Sequence, residues 1–139
     1  MGFSRKSLRN LILEEMDRTL PRCHRAQARV DSIPISIEIA DSDFLRNRGL
    51  MFRESMGEDE GMLFIFPEAD QRGFWMKNTY IPLSIAFLDD RGAILNIADM
   101  TPHDLVTTYS EGQSRSALEM NQGWFERNGI VPGSRVLVS

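Results

Sequence analysis

The chain has 139 residues, 42% of them apolar and 26% charged, with a mean hydropathy of −0.28. That is the make-up of one ordinary globular domain, long enough to bury a core and too short for two. A net charge of −4 argues against nucleic acid as a partner, because duplex binding needs a basic surface to displace counterions. The single cysteine, Cys23, excludes an intramolecular disulfide and with it a stapled secreted scaffold.

The charge is unevenly spread. Residues 1–30 hold seven Lys/Arg against three Asp/Glu, a balance of +4, and the other 109 residues hold nine against seventeen, a balance of −8. The simple reading is a basic N-terminal arm attracted to an acidic body; the sharper one is an arm that touches an acidic partner or an anionic membrane. The arm's longest aliphatic run is Leu11-Ile12-Leu13. A signal peptide needs an apolar stretch of about 7–15 residues and a membrane span about 20. No transmembrane segment is expected, and the cytoplasm is the expected location.

In chain order, Leu8, Leu11, Ile12, Met16 and Leu20 recur at spacings of three and four, which predicts an amphipathic helix over 4–20, ended by Pro21. Arg22–Arg29 is polar and irregular and reads as a linker. From residue 30 the period drops to two: Ile33, Ile35, Ile37 and Ile39 mark a half-buried strand. Asp41-Ser42-Asp43 then offers capping side chains to a short helix over 44–48, with Gly49 where a left-handed C-terminal cap belongs. The acidic stretch from Glu54 to Gly61 reads as a solvated loop; it lacks the ordered spacing of a calcium loop.

Met62 to Phe66 is a continuous apolar run, the mark of a central strand covered on both faces. Phe74 to Thr79 alternates weakly and reads as a further strand. Leu83–Leu88 and Ala93–Ala98 flank Asp89-Asp90-Arg91-Gly92, a four-residue hairpin loop. Ser116–Met120 reads as a strand, Asn121–Asn128 as a short helix closed by Gly129, and Arg135–Val138 as a last strand after the Pro132-Gly133 turn. The sum is an α+β fold: a mainly antiparallel curled sheet or small barrel with two short helices, plus the N-terminal helix. Residues 1–30 form the helix and linker, and residues 31–139 a single barrel-like core domain.

The catalytic motifs are mostly missing. There is no glycine-rich phosphate loop, no glycine-flanked nucleophilic serine and no Cys-x-x-Cys pair. Cys23, His24 and His103 are too few and too poorly placed for a zinc site or a Cys–His catalytic pair. The eight methionines read as core filler rather than copper ligands. No metal and no cofactor is expected.

Two strings stand out. Strand alternation through Phe74-Trp75-Met76-Lys77-Asn78-Thr79 puts Trp75, Lys77 and Thr79 on one face. In Leu118-Glu119-Met120-Asn121 it sets Leu118 and Met120 inward and Glu119 and Asn121 the other way. An indole beside a lysine, a glutamate and an amide makes a polar pocket with one apolar wall, as small-ligand sites have. The same residue types also suit a plain Lys77–Glu119 cross-strand ion pair with Trp75 packed beside it.

The strings Arg48-Gly49-Leu50-Met51-Phe52-Arg53, Gly61–Phe66, Phe74–Thr79, Ile81-Pro82-Leu83 and Leu118–Trp124, in this order and spacing, resemble the bacterial and archaeal family known as domain of unknown function 192, from about residue 33 to residue 138. The resemblance implies a compact barrel-like α+β domain and no established activity, substrate or cofactor. Its signature string directs attention to Trp75, Lys77, Asn78 and Thr79, with Arg48 and Glu119. The chain departs from the family pattern in three places. It opens with a basic amphipathic helix where many relatives carry an export signal, it has Ser84 where an aspartate often follows Pro-Leu, and it lacks the cysteines some members place in the Thr101–Ser110 loop.

On these grounds the expected function is a small non-catalytic binding module for an anionic or hydroxyl-rich ligand, with a pocket built from Trp75, Lys77, Asn78, Thr79, Arg48, Glu119 and Asn121. Two alternatives stand beside it. One is a hydrolase-like enzyme with Glu119 as general base and Lys77 as electrostatic stabiliser; the other is a protein–protein interaction domain that uses the 4–20 helix. The expected partner is an unidentified small molecule or protein, and the expected state a monomer or weak dimer.

Overall fold

The computed structural model describes residues 7–9, 11 and 21–139. The helix expected over 4–20 lies outside the described residues, apart from those four. The elements that follow are β1 (His24–Val30), β2 (Ile33–Ala40), α1 (Asp43–Arg48), β3 (Glu60–Phe74), β4 (Leu83–Leu88), β5 (Ile94–Met100), β6 (Thr108–Asn121), α2 (Trp124–Arg127) and β7 (Val136–Val138).

The strands form one seven-stranded sheet in the order β5-β4-β6-β3-β2-β1-β7. Its pairings are antiparallel except for β2 with β3, which run parallel. The parallel pair exists because the chain between β2 and β3 crosses over through α1 and the acidic loop instead of turning back in a hairpin. The sheet curls into a half-barrel whose two edges meet at one end. Ala93 bridges Arg135 there, Ile94 N–H donates to Ser134 O (2.8 Å), and Val136 N–H donates to Gly92 O (2.9 Å). Only glycine fits at position 92: φ is +79°, and a Cβ would lie 2.5 Å from Val136 O.

The curl lets both faces of the central strands carry a core. Alternation along β3, β4 and β6 sends Leu63, Ala86, Leu88, Leu118 and Met120 into one cluster, where they pack with Trp124, Phe125 and Ile130. The intervening Met62, Phe64, Ile85, Phe87 and Ala117 go to the other, with Leu45, Leu50, Met76 and Met100. β4 is buried at all six positions, which is why it reads as an unbroken apolar run rather than an alternation.

Five local expectations change. The supposed linker at 22–29 supplies most of β1, which pairs with β2 along its whole length; its residues look polar because only Ala28 and Val30 are buried. β3 runs on past Phe66 through Pro67 to Phe74, and its register against β6 shifts between Ile65 and Asp70, where the proline has no N–H to give the ladder. β6 likewise extends well before Ser116. The strand expected over 74–79 ends at its first residue, and the rest is a loop. The helix expected over 121–128 is the single turn α2.

Candidate functional site

The short helix α1 begins as its sequence dictates. Ser42 Oγ accepts from Leu45 N–H (3.2 Å), and Gly49 ends the helix with φ +51° and its N–H on Leu45 O (2.9 Å). Leu45 anchors the helix in the core, so Arg46 and Arg48 in the last turn are fixed over the sheet. Arg46 donates to Ile65 O (2.7 Å) and pairs with Asp43 (2.8 Å), and its guanidinium lies 5.2 Å from the Phe66 ring centre. Arg72 covers the same ring at 4.0 Å. Arg48, 9% exposed, donates to Pro21 O (2.9 Å) and lies 5.5 Å from the Phe44 ring centre.

The loop from Trp75 to Pro82 is held by backbone contacts from two other segments. Met76 N–H donates to Asp104 O (2.9 Å), His103 N–H to Thr79 O (3.2 Å) and Phe52 N–H to Asn78 O (2.9 Å). Three non-glycine residues take the left-handed conformation here: Phe52 (φ 68°), Asn78 (φ 53°) and His103 (φ 65°). Such backbone costs of order 1–3 kcal/mol per residue and persists only where its surroundings over-determine it. Tyr80 locks the junction, its ring against Phe52 (6.5 Å between centres) and His103 (5.2 Å).

Between α1, this loop and the sheet lies a cavity of about 140 Å³. Arg46 and Arg48 line it from α1, Phe64, Phe66 and Phe74 from β3, Trp75, Met76 and Thr79 from the loop, and Glu119 from β6. Glu119 sits mid-strand, opposite Met62 on β3 and Ile85 on β4, and is 4% exposed. Among the described residues its carboxyl has neither a hydrogen-bond partner nor an ion-pair partner. Burial pushes its pKa up to about 8, so at neutral pH it is chiefly the uncharged acid, its carboxyl open to the cavity.

Of the residues singled out in the sequence, Arg48, Trp75, Thr79 and Glu119 meet at this cavity, and Lys77, Asn78 and Asn121 do not line it. The face assignment for Trp75, Lys77 and Thr79 fails because 75–82 is a loop: Thr79 is buried, while Trp75 is 47% exposed and Lys77 stands out beside it, Nζ 5.3 Å from the indole centre. No Lys77–Glu119 ion pair forms. Asn78 serves the loop through its carbonyl. Asn121 Nδ2 donates to Met56 O (3.1 Å) and Gly57 O (3.0 Å), tying down the acidic loop. The sequence reading missed Arg46 and the phenylalanine walls. The apolar run Met62–Phe66 held the clue: a strand covered on both faces implies that its neighbour β6 is covered too, Glu119 included.

A second hollow, about 270 Å³, lies over Ser84, Asp99 and Phe125 on the other face. Its buried polar group is satisfied. Ser84 Oγ donates to Asp99 Oδ1 (2.6 Å) and accepts from Gly123 N–H (3.0 Å). Asp99 on the neighbouring strand thus sets a carboxylate beside Ser84.

The fold and this cavity define a small curled-sheet domain. The family model for domain of unknown function 192, described as an uncharacterized ACR, matches residues 26–138, and the chain belongs to that family. A crystal structure from Sinorhizobium meliloti 1021, described as a candidate transcription regulator, superposes with a TM-score of 0.82 at 32% identity, covering 86% of this chain and 97% of that one. A protein of unknown function from Novosphingobium aromaticivorans gives a TM-score of 0.74 at 34% identity, covering 82% and 84%. No curated protein matches. Among the described residues, no helix is long and apolar enough to cross a membrane.

Proposed function

We propose that the domain is a non-catalytic binding module that takes a small ligand in the Glu119 cavity. One observation carries this reading: a carboxyl group buried at the cavity wall with no partner among the described residues. No buried side-chain oxygen is left without a partner among the described residues, so this carboxyl opens to the cavity that it lines, where a ligand can meet it. Trp75, half exposed at the rim, is placed to stack on what enters, and Arg48 favours an anionic or hydroxyl-rich guest. Lys77 and Asn78 then act on the ligand only from outside the cavity, through the loop they belong to.

The test is a thermal-shift screen of sugars, nucleotides, organic acids and metal ions on the full chain, with Glu119→Ala and Trp75→Ala beside it. A ligand at about a hundred times its dissociation constant adds roughly 2.7 kcal/mol, several degrees for a domain this size. A shift that both variants lose supports the module. No shift across the panel contradicts it.

The pKa of Glu119 also favours a second reading, in which the group serves as a general acid or base near neutral pH. In that version the stabilising cation is Arg48 rather than Lys77, and turnover lost in Glu119→Gln is the sign to look for. The Sinorhizobium relative's description raises transcriptional control. The −8 balance of residues 31–139 speaks against this domain gripping DNA itself, so such a role would run through the ligand.

A further inference from the structure

The lining of the Glu119 cavity divides by chemistry. Among the described residues Glu119 is its one acid, and the other charged side chains, Arg46 and Arg48, are both positive. Most of the remaining wall is apolar: Leu50, Phe64, Phe66, Phe74, Met76 and Leu83. Thr79 adds a hydroxyl whose proton is committed to Lys77 O (3.1 Å), leaving it an acceptor.

Each feature narrows the guest. At about 140 Å³ the space matches the roughly 150 Å³ that admits benzene, so it holds a body of about six non-hydrogen atoms. A monosaccharide is about twice that and would strand its hydroxyls against phenylalanine. An ammonium guest would join two guanidinium groups in a partly closed space. The Glu119 carboxyl has no hydrogen-bond partner among the described residues and opens to the cavity, so a guest can meet it. We infer that the ligand is a small monocarboxylate with a compact apolar body, its carboxylate accepting a hydrogen bond from the Glu119 carboxyl and its body lying against the phenylalanines. This rests on the binding-module reading and names the ligand class for the same site.

The assignment carries a pH signature. The groups facing Glu119 from α1 are Arg46 and Arg48, with Asp43 on the outer side of Arg46; those facing it from β3, β4 and the 75–82 loop do not titrate. The arginines keep their charge throughout the accessible range. Glu119 is therefore the group that switches. Once it ionises, host and guest carboxylates repel, so affinity is flat around pH 6–7 and falls about tenfold per pH unit once pH exceeds the Glu119 pKa.

The experiment is an NMR titration of the full chain with isobutyrate, isobutyramide, isobutylamine and glycerol from pH 6 to pH 10. Glu119→Gln, which keeps an N–H donor but cannot ionise, is titrated in parallel. The expected result is binding of isobutyrate in preference to the other three, an alkaline fall in the wild type, and binding without that fall in Glu119→Gln. Preference for the amine or glycerol, or isobutyrate affinity unchanged between pH 7 and pH 10, overturns the carboxylate assignment and leaves the binding module standing. No binding of any of the four also overturns it, and the broader thermal-shift screen then decides the module separately. If Glu119→Gln does not fold, the wild type alone decides: isobutyrate shows the alkaline fall and the uncharged isobutyramide does not.

Discussion

The two faces of the central strands make an instructive pair. Both are buried and both hold polar groups, but the groups fare differently. On the Trp124 face the indole N–H donates to Asp59 Oδ1 (3.0 Å), and Ser84 is satisfied as both donor and acceptor. On the Phe64 face Glu119 lines a cavity and has no partner among the described residues. A fully satisfied polar group contributes to stability and specificity, whereas one that opens to a cavity without a partner among the described residues is left to water or a ligand. Both faces carry a core, and the second also leaves one carboxyl open to a cavity.

The largest effect expected from breaking this contrast is on the Trp124 face. Trp124→Ala removes a fully buried indole and its hydrogen bond to Asp59, so it is expected to lower unfolding free energy by about 3–5 kcal/mol in a urea titration. Glu119→Gln has the opposite sign at alkaline pH. The folded-state pKa is raised from 4.5 to about 8, so the folded protein binds the extra proton, and wild-type stability falls as pH rises from about 4.5 through 8. At pH 9 the glutamine variant is therefore expected to be the more stable protein, by on the order of 1.4 kcal/mol for each unit of the shift realised. Urea unfolding at pH 5 and pH 9 checks both sign and slope.

Smaller changes sharpen the comparison. Ser84→Ala on the satisfied face leaves Gly123 N–H and Asp99 without their partner and is expected to cost about 1–3 kcal/mol. Trp75→Ala at the cavity rim is expected to change stability by less than about 0.5 kcal/mol, because the side chain is half exposed, while weakening any ligand that the thermal-shift screen finds. A loss of stability from Trp75→Ala as large as that from Ser84→Ala would make Trp75 a structural residue and remove it from the site.

Much of this was legible in the sequence, for local reasons. The isoleucine alternation of β2, the Ser42 and Gly49 caps of α1, and the β4–β5 turn at Asp89–Gly92 each follow from periods and turn chemistry within a few residues. In that turn Asp89 Oδ1 accepts from both Arg91 N–H (2.8 Å) and Ala93 N–H (2.9 Å). β1 escaped because its place is set by backbone pairing to β2 and β7 rather than by its own side chains. The 75–82 loop imitated a strand because the contacts that turn it, from Phe52, His103 and Asp104, come from residues about 25 positions away on either side. Alternation sets Glu119 opposite Leu118 and Met120 and into a polar pocket expected to hold Lys77; what covers it is α1 and the loop, which no local pattern reveals.

The most direct test of the account is a carbon-detected NMR titration of the side-chain carboxyls, with Glu119 assigned by comparison with Glu119→Gln. The account expects one carboxyl to titrate near pH 8, far from the rest, and to vanish from the spectrum of the variant. A Glu119 signal that titrates between about pH 4 and 5, like an ordinary glutamate, would mean that the group is solvated or paired, and the distinction between the two faces would fall.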